Sequence, residues 1–173
     1  GAIDANNNGA GEYGFFAELS GGAPVRNNES GGVGTERITP PFLSGAFTNV
    51  STSRVMRSGY FFQMFLPSSL AAPVPEASGG GGSGQTIFAA NAEVMWCAYA
   101  WPTSFGNSGK RAFFINQSGD VMATRNSTQR YNGTTKAPAA THAFLGTVTN
   151  PTMASTLASN ATGQDGERWL VVN

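Results

Sequence analysis

The first residues that could do chemistry are a set of spaced oxygens. Asp4, Asn6 and Asn8 put side-chain oxygens at alternate positions, Gly9 follows, and Glu12 stands three residues further on. This is the opening of a D-x-[DN]-x-[DN]-G loop, in which a glycine lets the backbone fold oxygen ligands around Ca²⁺. The ion takes roughly six to eight oxygens at about 2.3–2.6 Å. The pattern is incomplete, because only Asp4 and Glu12 carry charge and Phe15 stands where the bidentate Glu of such a loop would fall. The expectation is a weak Ca²⁺ site built from Asp4, Asn6, Asn8 and Glu12, or an Asn/Gly turn that binds nothing.

Other chemistry is sparse. The chain has one cysteine and one histidine, too few for a thiolate or zinc cluster. Cys97, between Trp96 and Ala98, reads as a small core residue. His142 sits among small residues with no local acid or nucleophile to complete a hydrolase triad. The run Gly79 to Gly84 lacks the Gly-Lys-Ser/Thr ending of a phosphate loop. Glu76, Glu93, Asp120, Asp165 and Glu167 are scattered; a glycosidase carboxylate pair could be assembled from them in space, but nothing selects one pair. Strand alternation puts Trp96 and Ala98 on one face and Cys97, Tyr99 and Trp101 on the other. Trp96 is expected in the core, while Trp101 and Tyr99 with their flanking loops are the candidate ligand-binding platform. The N-x-S/T tripeptides at Asn28, Asn49, Asn116, Asn126, Asn132 and Asn160 follow from a composition rich in Asn, Ser and Thr.

The elements that would position these groups read as a sheet. Residues 60–66, 94–101, 110–116 and 120–125 are apolar or aromatic runs with punctuated ends, the last three forming a meander with a Ser-Gly-Asp turn. Residues 167–172 suit a final strand. Residues 12–19 suggest a short helix stopped by Ser20-Gly21-Gly22, and 154–158 a second. Residues 20–41 and 67–84 read as long loops, the latter a flexible Gly-rich connection. The expectation is a single domain over 1–173, with the tail 126–173 turn-rich. Only 12% of the residues are charged, about half of the ~25% usual in soluble domains, which suits an extracytoplasmic protein. The formal net charge is zero and the longest basic run is Lys110-Arg111, so no nucleic-acid partner is expected. No stretch approaches the ~18 apolar residues of a membrane span.

Ordered motifs carry a family resemblance. Ser58-Gly59-Tyr60-Phe61-Phe62 resembles the "sGYxF" strand of type IV pilin-like proteins and type II secretion pseudopilins. Ala98-Tyr99-Ala100-Trp101-Pro102 is similar to their next strand, and Gly109 to Val121 to their "GxRxFfvdesGxi" hairpin. Asn6 to Gly14 resembles the "D-G-x-GEYG" opening of large pilin-like sets, notably planctomycete-type ones. The resemblance covers about residues 3–19 and 58–125. It implies an α+β fold, an antiparallel sheet of about four strands packed on a long N-terminal helix. It also implies that this helix is largely trimmed away here, and that it alone would reach the inner membrane. The function it implies is a non-enzymatic pilin-like or pseudopilin subunit, periplasmic or at the cell surface, with other pilin-like subunits and the secretion or pilus machinery as partners. The alternative is an extracellular carbohydrate- or ligand-binding β domain.

Overall fold

A computed structural model of the chain describes residues 2–172. The expected α+β fold does not hold. The described residues form nine strands, paired antiparallel where registers are set, and only two α-helices, each a single turn, with one 3-10 turn at Gly45–Thr48. The expected helix over 12–19 shrinks to α1, Phe16–Leu19. Two reasons are local. The backbone N–H groups of Glu12 and Tyr13 are spent on the carbonyls of Ile3 and Ala92, and a stretch this short cannot sustain a helix without tertiary support. The second helix, α2, is Ala89–Ala92 and was not expected; residues 154–158 form none.

The chain divides into two compact units. Unit 1 contains the residues up to Val55 together with Gln63–Trp96, and unit 2 contains Met56–Phe62 with Cys97 onward. In unit 1, β1 (Val50–Ser51) meets the start of β2 (Arg54–Arg57) across a two-residue turn, Thr52-Ser53, both at positive φ, as the right-handed twist of a tight hairpin demands. The later residues of β3 (Tyr60–Pro67) pair with β4 (Pro73–Pro75), registered Phe65 to Pro75 and Pro67 to Pro73. Proline donates no N–H, and β4 pairs with β3 alone. The core of the unit is Phe15, Ala17, Val55, Met64, Leu66, Ile87 and Ala89.

The Gly-rich stretch of unit 1 is not a free connection. Arg26 is wholly buried between two carboxylates, with Nη1 2.7 Å from Glu18 and Nη2 3.1 Å from Glu12. Gly82 lies on the Arg26 side chain: a Cβ there would sit 2.4 Å from its Cγ and 2.6 Å from its Cδ. A Cβ on Gly80 would sit 2.9 Å from Ala17 and 3.1 Å from Val50, and Gly84 N–H donates to the Gly31 carbonyl. Gly82 is needed because backbone there presses directly onto a buried guanidinium stem.

In unit 2 the order is β5 (Cys97–Pro102), β6 (Ala112–Asn116), β7 (Met122–Thr124), β9 (Arg168–Val171) and β8 (Ala161–Thr162). The expected meander holds, with each strand shorter than its apolar run. At the β6–β7 turn the Asn116 carbonyl accepts Gly119 N–H and its side-chain oxygen accepts Ser118 N–H. One sheet face buries Tyr99, Trp101, Phe114, Met122 and Trp169. Tyr99 packs edge-on to Phe114 at 4.9 Å and to Trp169 at 6.2 Å, and Phe114 edge-on to Phe144 at 5.8 Å, geometry worth about 0.5–1.5 kcal/mol per pair beyond burial.

The packed glycine predicts a mutational contrast. Gly82→Ala is expected to destabilise the protein by roughly 1–3 kcal/mol through overpacking. Gly79→Ala, whose Cβ would meet nothing within 4 Å, is expected to stay within about 0.5 kcal/mol. Equilibrium denaturation of both variants checks this; equal effects would mean that the segment is a loose linker after all.

Candidate functional site

The predicted calcium loop forms a closed turn, and one of its four residues leaves it. The two Asp4 carboxylate oxygens accept the N–H groups of Asn8 (3.1 Å) and Gly9 (2.9 Å). Asn6 Oδ1 accepts Asn8 N–H, and Asn8 Oδ1 accepts Ala10 N–H. Asn8 Nδ2 donates to Glu93 at 2.8 Å. The Glu12 carboxylate is turned inward, accepting Ala5 N–H at 2.6 Å and Arg26 at 3.1 Å. The geometry therefore separates Glu12 from Asp4, Asn6 and Asn8. Among the described residues no group of three or more His, Cys, Asp or Glu lies close enough to hold a metal ion.

The predicted ligand platform is core. Trp101 is fully buried and its Nε1–H donates to the Gly133 carbonyl at 2.8 Å. Tyr99 is equally buried; its hydroxyl donates to the Ala140 carbonyl and accepts Ala143 N–H, both at 2.9 Å. Neither ring offers a face to a sugar. The two tryptophans of this run exchange roles: Trp96, expected in the core, is only half-buried, 6.1 Å from the Tyr13 ring. Cys97 is buried, and desolvation pushes its thiol far above the usual range, leaving no thiolate nucleophile.

Two polar clusters were not foreseen. In unit 2, Tyr131 joins residues far apart in sequence: its hydroxyl lies 2.5 Å from Asp165 Oδ2 and 2.7 Å from His142 Nδ1. Asp165 Oδ1 accepts Glu167 N–H and Trp169 Nε1–H. Glu167 accepts the N–H groups of Thr128 and Gln129 and the hydroxyl of Thr124. Burial, then the facing Asp165, hold the Tyr131 hydroxyl far above its ordinary value, and burial holds His142 below its own. These groups tie together a turn-rich tail. Sequence could have hinted at them only through Asp165-Gly166-Glu167, a turn with two acids beside Trp169.

In unit 1 Glu12 and Glu18 pair with Arg26, and Glu76 lies near Glu18. Glu18 accepts Phe15 N–H, Arg26 N–H and the guanidinium. Glu76 Oε1 accepts Ala17 N–H at 2.8 Å and Gly81 N–H at 2.9 Å, while its Oε2 is buried with no partner. Desolvation pushes the Glu76 carboxyl up to about 7, with the nearby Glu18 charge adding to it and the two N–H donors opposing. Desolvation raises Glu18 as well, with Arg26 opposing.

The outward face of the unit 2 sheet is unusual. A solvated antiparallel face normally carries polar residues. Here the register aligns Ala100, Phe113, Ala123 and Leu170 in one row across four strands, with Ala98 and Ile115 paired in the next. Phe62 and Val121 join them around a shallow apolar depression of about 130 Å³. Phe113 and Ile115 are half-exposed and Leu170 is 45% exposed.

Comparison of the chain with family models, characterised proteins and solved structures finds no match.

The Glu76 environment sets a pH dependence. A carboxyl whose folded value lies near 7 binds a proton that the unfolded chain releases at about 4.5. Stability from this group is therefore complete below about pH 4.5 and is lost as pH rises through 7. Glu76→Gln, which keeps the acceptor for Ala17 and Gly81, is expected to remove that loss. The difference between variant and wild type should grow in the variant's favour from pH 5 to pH 8, by on the order of 3 kcal/mol. Denaturation at both pH values measures it; a pH-independent difference would reject a buried protonated carboxyl.

Proposed function

We propose that the chain is a non-enzymatic assembly subunit of the pilin-like or pseudopilin kind, working outside the cytoplasm by packing against other subunits. The observation that carries this reading is the outward face of unit 2, where Ala100, Phe113, Ile115 and Leu170 form a partly exposed apolar row beside the buried Ala98. Alanines floor it and Phe and Ile flank it, a relief that suits an apolar helix from a neighbouring subunit. The motif resemblance in residues 58–125 falls on the strands that build this face. The polar clusters support the same reading. His142 Nδ1 faces Tyr131, and the oxygens of Asp165 and Glu167 are spent on backbone N–H groups, hydroxyls and the Trp169 indole, so these groups act as internal struts.

The test is a pair of polar substitutions on the face. In its native cell, the tagged double variant Phe113→Ser/Ile115→Ser is expected to fold with an unchanged melting temperature. It should be recovered with assembled partner subunits about tenfold less than wild type, since one large apolar contact is worth roughly 1.5–3 kcal/mol. Unaltered recovery would sink the proposal.

A further inference from the structure

The zero net charge conceals a division. Seven of the ten Lys and Arg residues lie in unit 2 with three of the ten acids, so unit 2 carries +4 and unit 1 carries −4. All seven cations are exposed, whereas Asp165 and Glu167 are buried, which leaves Asp120 as the one exposed acid of the unit. The expectation of no nucleic-acid partner rested on the total and on the lack of a long basic run, but the total averages two unlike units and a run along the chain does not record cations brought together by the fold.

Four of the cations are gathered at one end of the sheet by a single buried side chain. Asn126 donates from Nδ2 to the carbonyls of Lys110 (2.9 Å) and Tyr131 (3.1 Å), and its Oδ1 accepts Tyr131 N–H (2.6 Å). It follows Arg125 directly. It thus pins Lys110 and, through Tyr131, the neighbouring Arg130. Arg111 and Arg125 stand one residue beyond the last registered pair of β6 and β7, Ala112 with Thr124. None of the four forms an ion pair among the described residues. Two are held by aromatic rings: Arg111 lies 5.2 Å from the Phe113 centroid and Arg130 5.7 Å from that of Phe105.

We propose that this end of unit 2 binds the phosphate backbone of duplex nucleic acid without reading its sequence. Three features choose that partner. The guanidinium fork matches two phosphate oxygens at once. The rings of Phe105 and Phe113 already carry guanidinium groups, Tyr60 is engaged by its hydroxyl on the Arg111 carbonyl and by its ring against Phe113, and Tyr99 and Trp101 are buried, so each ring beside the patch already has a partner. The patch meets charge alone, which suits a ligand whose charges are outermost. A second copy is a poor fit: with its three buried carboxylates set aside, unit 1 fully exposes only Glu36, while Asp4, Glu29 and Glu93 are half-buried and accept hydrogen bonds from neighbouring groups.

The experiment is fluorescence anisotropy of a short mixed-sequence DNA duplex titrated with the intact protein at several salt concentrations. Four phosphate contacts predict a log–log slope near −3.6, about a 150-fold loss of affinity between 50 and 200 mM salt. Arg111→Ala/Arg125→Ala should bring the slope to about −1.8. These side chains are exposed, so circular dichroism should be unchanged. Arg37→Ala, in unit 1, should leave the slope untouched, and scrambling the duplex sequence should not alter binding. No binding at 50 mM salt overturns the proposal, as does a slope indifferent to the double substitution. Binding of a sulfated polysaccharide that the duplex cannot displace overturns it in favour of that polymer. Self-association abolished by the same two substitutions overturns it in favour of a second copy. Because Arg111 rests on the Phe113 ring, the pair Arg125→Ala/Arg130→Ala, which leaves that ring covered, is the variant that separates nucleic-acid binding from assembly, and it should lower the slope to about −1.8 as well.

Discussion

Unit 1 is tied together by one buried guanidinium. Arg26 has no exposed side-chain surface and is met by Glu12 and Glu18, with the Tyr13 carbonyl as a further acceptor at 2.9 Å. Burying such a charge costs several kcal/mol unless its partners are well placed and satisfied themselves. Here each carboxylate spends its remaining capacity on backbone: Glu12 on Ala5, Glu18 on Phe15 and on Arg26 itself. One ion therefore fixes the N-terminal turn, the start of α1 and the segment that follows it, and Gly82 closes over its stem. Two carboxylates meet one cation, and the excess negative charge beside Glu18 is relieved at Glu76, whose carboxyl desolvation and the Glu18 charge push up to about 7.

The same economy governs the rest of the chain. Five of the ten acidic side chains are internal: Glu12, Glu18, Glu76, Asp165 and Glu167. Each replaces a missing secondary-structure partner by accepting backbone N–H groups, which turn-rich segments cannot supply to one another. The tail from 126 onward is held this way, by Asn126, Tyr131, Asp165 and Glu167 rather than by long strands. Withdrawing acids to the interior leaves the surface of unit 2 basic although the sequence as a whole is neutral.

Legibility followed the range of the interactions. The strands at 60–67, 97–102, 112–116 and 168–171 announced themselves because alternation and aromatic content are local properties. The short strands at 50–57, 73–75 and 161–162 did not, being polar, proline-bearing or two residues long. The helix expected over 12–19 failed because the N–H groups of Glu12 and Tyr13 pair with distant carbonyls, which no local pattern records. Residues 79–84 looked like linker because glycine serves both freedom and close approach, and only the position of Arg26 distinguishes the two. Oxygen spacing correctly found a turn at Asp4 to Gly9, but could not tell that Glu12 answers to Arg26. Tyr99 and Trp101 were rightly placed on a common face; which face was buried depended on Phe144 and Trp169, contributed from the tail.

The shortness of β8 bears on how the protein meets its neighbours. With two residues, the outer strand of unit 2 offers almost no ladder of unpaired backbone donors and acceptors, and a sheet edge so blunted resists extension by a further chain. The adjoining face has no such guard. A contact through this edge would have side-chain shape rather than a backbone ladder to rest on, so its specificity would be set residue by residue and open to revision by point substitution.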